Sequence, residues 1–400
     1  GMIKTALALY NKVLPPTLKA QTPDPDLHIS DSAFYLNSET RPWVNSTSDH
    51  PRRSGVSAFG FGGSNFHAVL EEYTPAKTHV SWDGSVQLFS FSGDSTKNLE
   101  KQIETVLKTI KAVKDPAQIQ QIIAWQAFES RKSFDSKQKH RLVMVVNKST
   151  DLPVLLTRAA KVCKDGVCND EHIYYSSKKK SGKLAFLFPG QGSQYAGMGK
   201  DLTAVFPEAL EAVETAVRIF ADHNKDDDQQ RKPLHEYLFP LPEYLQSKKE
   251  SEQQLRRTDI AQPAIGAISL GMLKILKRFG IQPEFNCGHS FGELAALHSA
   301  GWMDETSLLT LATARGRFMA EAGKKDGDAG SMLAVQAPLS RIEALIEEKN
   351  LDLVLANRNS PEQGVLSGRT EEILRAKKIF RKEKIRAIQL PVAAAFHSSL

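Results

Sequence analysis

The run Gly288-His289-Ser290-Phe291-Gly292 sets one serine between two glycines, the spacing that nucleophilic acyl chemistry uses. It follows the short run Glu284 to Cys287 and precedes Glu293 to Ser299, a helical run closed by Gly301. Strand, turn and helix in that order make a nucleophile elbow. The glycines permit the tight turn and the serine oxygen projects from it. Amides at the helix start, that of Phe291 among them, then point at any oxyanion formed on an attacked carbonyl. The plainer alternative is a chance match in a chain of 400 residues.

A serine needs a base, and His397 is the best candidate among the 11 histidines, because it ends an apolar strand-to-loop passage instead of lying on a polar helix. Taken alone, a histidine without a role is the commoner case, and no spacing rule makes residues 290 and 397 neighbours. No acidic residue stands out as a third member, so the reading is a Ser-His dyad. Pro189-Gly190-Gln191-Gly192-Ser193-Gln194 looks like a phosphate cradle. It lacks the Lys-Ser/Thr ending of a P-loop and the G-x-G-x-x-G spacing of a dinucleotide turn, which argues against nucleotide binding. A glycine-rich turn after a first strand can supply a second oxyanion amide instead, and Gln191 is the residue placed to do so.

Arg315 falls on the apolar face of a helix expected over Asp304 to Ala322, with Leu308, Leu311, Ala312, Phe318, Met319 and Ala322, whereas Arg317 does not. A guanidinium pointing inward needs an anion. Two readings stay open: a salt bridge to a protein carboxylate, or a bidentate clamp for a substrate carboxylate, which Arg makes better than Lys.

The elements that would position these residues read as an α/β chain of two or three domains. Residues 1 to about 75 hold a helical start, a stop at Pro15-Pro16, an extended stretch and a strand-like ending. Residues about 76 to 182 alternate strands (Val86 to Phe91, Arg141 to Val146) with helices (Asn98 to Val113, Ile119 to Glu129), a small α/β linker domain. Ser176 to Lys183, with its lysine run, reads as solvated linker. From 183 the strand Leu184 to Phe188 leads into the glycine-rich turn. The polar stretch Asp222 to Arg257 is expected to be an exposed excursion. Thr258 and Pro263 open a helix closed by Gly280. The last part alternates as βαββαβ (strand Ser331 to Gln336 through strand Arg386 to Leu390), a ferredoxin-like subdomain over about 329–392, ahead of a closing segment Ala393 to Leu400.

Composition narrows the class. An apolar share of 41% with 24% charged residues excludes disordered and collagen-like chains. The net charge of +6 is read as scattered along the chain, which argues against nucleic acid as a partner. Three cysteines cannot all pair, which fits a reducing, cytoplasmic setting, and Cys163-x4-Cys168 lacks a second ligand pair, so no metal is expected. Ile260 to Phe279, the most apolar stretch, is interrupted by Gln262, Pro263 and three cations, so no membrane span is expected, and the amino terminus has no signal-peptide pattern.

Together these motifs resemble the malonyl-CoA:acyl-carrier-protein transacylase family as it occurs in fatty acid and polyketide megasynthases. Phe188 to Gln194, Gln262-Pro263-Ala264, Gly288 to Glu293, Arg315 to Met319, Asn357-Arg358-Asn359 and Phe396-His397 stand in that family's order over about 183 to 400. The resemblance implies an α/β-hydrolase-like large subdomain beside the ferredoxin-like small one. It also implies ping-pong chemistry: Ser290, deprotonated by His397, attacks malonyl-CoA; amides of Gln191 and Phe291 hold the oxyanion; and Arg315 holds the malonyl carboxylate, with Phe396 and His289 also against substrate. The acyl-serine then passes to the phosphopantetheine thiol of an acyl carrier protein, with no bound cofactor. Phe396 before the histidine favours malonyl, although Ala394-Ala395 departs from the usual tetrapeptide. Residues 2 to 17 and 52 to 67 resemble the carboxy-terminal end of a ketosynthase domain, and 76 to 182 the linker that follows it. Phe34 to Asn37 with Arg41-Pro42-Trp43 looks most like polyunsaturated-fatty-acid synthases or related iterative polyketide synthases. By the same resemblance the domain is expected to be truncated at its C-terminus, with other domains of a megasynthase as partners. A serine acyl hydrolase and a catalytically silent docking platform are the competing functions. An inward Arg315 speaks against the first, since an apolar-acyl esterase gains nothing from it.

Overall fold

The computed structural model describes residues 1–20, 22–46, 50–115, 117–178, 182–225, 231–242, 244–325, 328–390 and 394–398, the side chains of 322–325 apart. The centre of the expected linker (179–181), part of the polar stretch (226–230) and both ends of the closing segment (393, 399–400) lie outside these residues. The chain divides into two compact units, Gly1–Val80 with Leu184–Leu400, and Ser81–Lys183.

In the Ser81–Lys183 unit, strand His140–Asn147 lies between Val86–Gly93 and Ile173–Ser176 in an antiparallel sheet. Period-two alternation turns Phe89, Phe91, Leu142 and Met144 inward, all 2% exposed or less. Leu99, Ile103 and Leu156 meet them from helices Thr96–Lys111 and Leu152–Asp165, whose first turns are capped by the Ser95 and Asp151 side chains.

Residues 1–75, read as a block of their own, fold into the same unit as the elbow. The cause is a buried ion network. Glu72 accepts from Lys12 at 2.6 Å and from Arg52 at 2.8 Å, and Arg52 also pairs with Glu214 on helix Pro207–His223. Removing any one member would strand a buried charge. The expected exposed excursion also folds: Leu234, Leu238, Phe239 and Leu255 are all 2% exposed or less, on and beside helices Leu234–Leu238 and Lys248–Leu255. A few apolar residues at helical spacing are enough to pin a stretch that is polar on average.

Strand β1 (Ala185–Phe188) pairs in parallel with β2 (Phe285–Gly288). Between them runs α1 (Thr258–Arg278), which by length and composition could cross a bilayer; 78% of that apolar window is buried in the protein, Gln262 and Pro263 with it, while Lys277 and Arg278 are exposed. After β2 come α2 (Gly292–Ser299) and α3 (Glu305–Lys325). The inward face of α3 is Leu308, Leu309 and Ala312; Leu311 and Phe318, expected inside, are 44% and 58% exposed. Then follow β3 (Ser331–Gln336), α4 (Leu339–Glu348), β4 (Val354–Ser360), β5 (Gln363–Gly368), α5 (Thr370–Lys382) and β6 (Arg386–Gln389). Their sheet is antiparallel in the order β4-β5-β3-β6, the ferredoxin-like arrangement, packed by Ile342, Leu345, Ile373 and Phe380 from one layer of helices.

Candidate active site

Parallel pairing sets Phe188 beside Gly288, so the two glycine-rich turns that follow β1 and β2 emerge side by side. They pack too closely for side chains: a Cβ on Gly190 would lie 2.3 Å from the His289 carbonyl oxygen, and one on Gly292 would lie 2.1 Å from that of Phe188. Ser290 sits at the apex of the second turn with φ +52, a left-handed conformation that costs a non-glycine residue about 1–2 kcal/mol. The turn is held on both sides. The His289 N–H donates to Phe188 at 3.1 Å, the Glu293 N–H donates back to Ser290 at 3.1 Å, and the Phe291 ring is fully buried beneath.

Around the apex, most amides are already engaged: Gly192 donates to Gln194 Oε1 at 2.7 Å and Gly292 to the His289 carbonyl at 3.0 Å. Those of Gln191 and Phe291 have no acceptor among the described residues. The Gln191 side chain is tied down by its Nε2 donating to Thr258 Oγ1 at 3.1 Å, which fixes the turn that carries its amide. One of these unengaged donors lies on the turn after β1 and the other at the start of α2.

Ser290 Oγ lies 2.8 Å from His397 Nε2. The histidine arrives on the segment after the ferredoxin-like sheet, anchored by the Ala395 N–H donating to Ala329 at 2.8 Å. Partial burial of the ring, the Arg315 cation and His289 pull its pKa below the ordinary histidine value, against a smaller upward pull from Glu293. The imidazole is therefore neutral at pH 7 and able to take a proton. No carboxylate pairs with it among the described residues.

Arg315, on α3, donates to Gln262 Oε1 at 2.7 Å, and Gln262 Nε2 in turn reaches Met319 Sδ at 3.2 Å. Gln262 is wholly buried on α1. Among the described residues Arg315 forms no ion pair; the carboxylate of Glu293 acts on it only through space. Arg317, by contrast, pairs with Glu321. A partly buried guanidinium with one neutral acceptor retains donors for an outside anion. His289, exposed on the elbow, meets Asn359 Oδ1 at 3.1 Å and Asn357 Nδ2 at 3.4 Å through Nε2, joining the elbow to β4. Phe396 is half-buried beside His397; no ring contact or hydrogen bond of its side chain joins it to the other residues among those described. Gln262, Asn357 and Asn359 were visible in sequence only as parts of motifs; a glutamine inside the apolar run of α1 was the one signal that could have marked Gln262 as a partner for a buried charge.

Residues 185–400 match the family described as acyl transferase domain, and residues 23–151 the ketoacyl-synthetase C-terminal extension. One of the subunits of the polyunsaturated fatty acid synthase of Thraustochytrium sp. is 32% identical over 425 residues, covering 100% of this chain and 15% of that protein. Among solved structures, the acyl transferase domain of ZmaA superposes with a TM-score of 0.59 at 23% identity, over 77% of this chain and 65% of that one, a likeness of fold. The acyltransferase domain from the second module of the salinomycin polyketide synthase gives a TM-score of 0.52 at 26% identity, over 80% of this chain and 66% of that one. The chain thus spans a small part of the curated relative and just under two thirds of each solved chain.

Proposed function

The chain belongs to the acyl transferase domain family, and from that premise we propose that it moves a malonyl group from malonyl-CoA to the phosphopantetheine thiol of an acyl carrier protein, as one part of a fatty acid or polyketide megasynthase in the cytoplasm. His397 Nε2 takes the Ser290 proton as Oγ attacks the thioester carbonyl, and the Gln191 and Phe291 amides hold the tetrahedral oxyanion. The imidazolium returns the proton to the departing CoA sulfur. In the second half the carrier thiol gives its proton to His397 and attacks the acyl-serine, and the bond to Ser290 Oγ breaks as His397 returns the proton to that oxygen. Arg315 holds the free carboxylate throughout, with no cofactor or metal ion taking part, and His289 and Phe396 complete the acyl pocket. The observation that carries this reading is the 2.8 Å contact of Ser290 Oγ with His397 Nε2, near an arginine whose hydrogen bond is to the neutral Gln262.

Intact mass after brief incubation with malonyl-CoA, acetyl-CoA or methylmalonyl-CoA tests it, on the purified protein and on Ser290→Ala and Arg315→Ala. Expected is a malonyl adduct on the wild type, absent from Ser290→Ala and lost or exchanged for acetyl in Arg315→Ala. A folded wild type that takes no acyl group would sink transfer and favour a docking platform. Free malonate accumulating without adduct would point to hydrolysis.

A further inference from the structure

Eight Lys and Arg stand against three Glu between Arg369 and Arg386, a surplus of five cations in a chain whose whole surplus is six. α5 and the turn after it are thus one of the chain's basic stretches, equal to 131–148, where six Lys and Arg stand against one Asp. That helix buries Ile373, Ala376 and Phe380, each 0% exposed, against the sheet. On its other face, Leu374, Lys377, Lys378 and Arg381 follow at intervals of three, four and seven, one stripe along the helix, and Leu374 is 44% exposed at its head. Two of the three acids are already engaged, and Glu371, exposed in the first turn of α5, lies one to two turns N-terminal to Lys377 and Lys378. Glu372 pairs with Arg375 at 3.2 Å and Glu383 with Arg341 at 2.9 Å. Lys377, Lys378 and Arg381 have no carboxylate partner among the described residues. Cations in the last turn favour the helix C-terminus, which accounts for Arg381 and Lys382 but not for Lys377 and Lys378 further back.

An exposed leucine bordered by three uncompensated cations fits an anionic protein surface with an apolar residue at its centre. The stripe has no aromatic side chain on which a nucleic-acid base could stack, and one leucine is too little apolar surface to enter a lipid interface. We propose that the exposed face of α5 docks the acidic face of the carrier protein that accepts the acyl group. This rests on the transfer reading above, whose second half needs a protein partner. Opposite charges steer such an encounter over about a Debye length, so the docking weakens with salt.

The test separates the two half-reactions. Self-acylation is followed by intact mass with malonyl-CoA; transfer and binding are followed with a phosphopantetheinylated carrier domain from a polyunsaturated fatty acid synthase. The triple variant Lys377→Glu, Lys378→Glu, Arg381→Glu is compared with Leu374→Ala and the wild type, with thermal unfolding as the control for folding. Expected is a carrier KM raised about tenfold or more in the triple variant, less in Leu374→Ala, with self-acylation unchanged and the wild-type KM rising between 50 and 300 mM NaCl. A wild type that takes malonyl while carrier KM and binding ignore the reversal would overturn the docking face and leave the transfer reading standing. A wild type that takes no malonyl but binds the carrier in the same α5-dependent, salt-sensitive way would support the face and sink the transfer reading. Binding of a 20-nucleotide RNA that the triple variant loses, with the carrier indifferent, would replace the protein partner by nucleic acid.

Discussion

Ser290 and His397 are 107 residues apart in the chain and 2.8 Å apart in the structure, and they arrive from different subdomains. Ser290 comes from the turn between β2 and α2. His397 comes from a segment pinned to the start of β3 through Ala395 and Ala329. The dyad therefore depends on how the ferredoxin-like subdomain sits against the elbow, and the His289 contact with Asn359 at 3.1 Å is a tie across the same joint.

Asn359→Ala removes that tie without touching either member of the dyad. Displacements of about 1 Å at a reacting pair cost up to about a hundredfold in rate. The expected outcome is an acylation rate lowered about tenfold, with thermal stability nearly unchanged because the side chain is exposed. Rapid-quench acylation by malonyl-CoA measures it, and an unchanged rate would show that the subdomains hold their place without this contact.

The depressed pKa of His397 has a direct kinetic sign. A base works when neutral, so the acid limb of acylation lies below the pH at which an ordinary histidine titrates. Replacing the Arg315 cation by Gln removes one of the downward pulls, and the acid limb moves to higher pH. Acetyl-CoA is the donor of choice, since it has no carboxylate for Arg315 to hold. The same limb in wild type and Arg315→Gln would mean that the Arg315 cation has no part in setting the pKa.

At φ +52, Ser290 pays for its exposure in backbone strain. Ser290→Ala keeps the strain and Ser290→Gly relieves it, less the entropy glycine adds to the unfolded chain. Both are inactive, and the glycine variant is expected to be the more stable by about 0.5–1 kcal/mol in denaturant unfolding. Gly292→Ala is expected to move the other way, since its Cβ would meet the Phe188 carbonyl at 2.1 Å. Equal stability for the two Ser290 variants would locate the strain elsewhere.

Local signals were the ones the sequence made legible. The elbow could be read because strand, glycine-flanked serine and helix are contiguous, and the βαββαβ order because each element has its own period. His397 stood out only by ending an apolar strand-to-loop passage, because its place beside Ser290 is a tertiary contact that no local pattern encodes. On α3 the inward face was misplaced: α1 covers Leu308, Leu309 and Ala312, leaving Phe318 in solvent. Average polarity likewise concealed the core residues Leu234, Leu238 and Phe239, and missed the cation stripe on α5, which depends on the spacing of charges along one helix and not on their total.

His235, in the stretch that composition would leave in solvent, is the residue through which acid should first unsettle this unit. Its Nδ1 is sealed from water without a hydrogen-bond partner, and burial, helped by the Arg41 cation, pulls its pKa down to about 4. Unfolded, the same ring titrates near 6.5. Between those values the unfolded chain binds a proton that the folded chain refuses, so stability is complete above pH 6.5 and is lost as pH falls toward 4, by on the order of 3 kcal/mol from this one group. His235→Phe keeps the ring and removes the proton site. Its melting temperature should therefore fall less steeply than that of the wild type between pH 6.5 and 4, while the two curves run parallel above pH 7. Parallel curves over the whole range would mean that the ring accepts its proton without unfolding, and that the carboxylates alone set the acid limit.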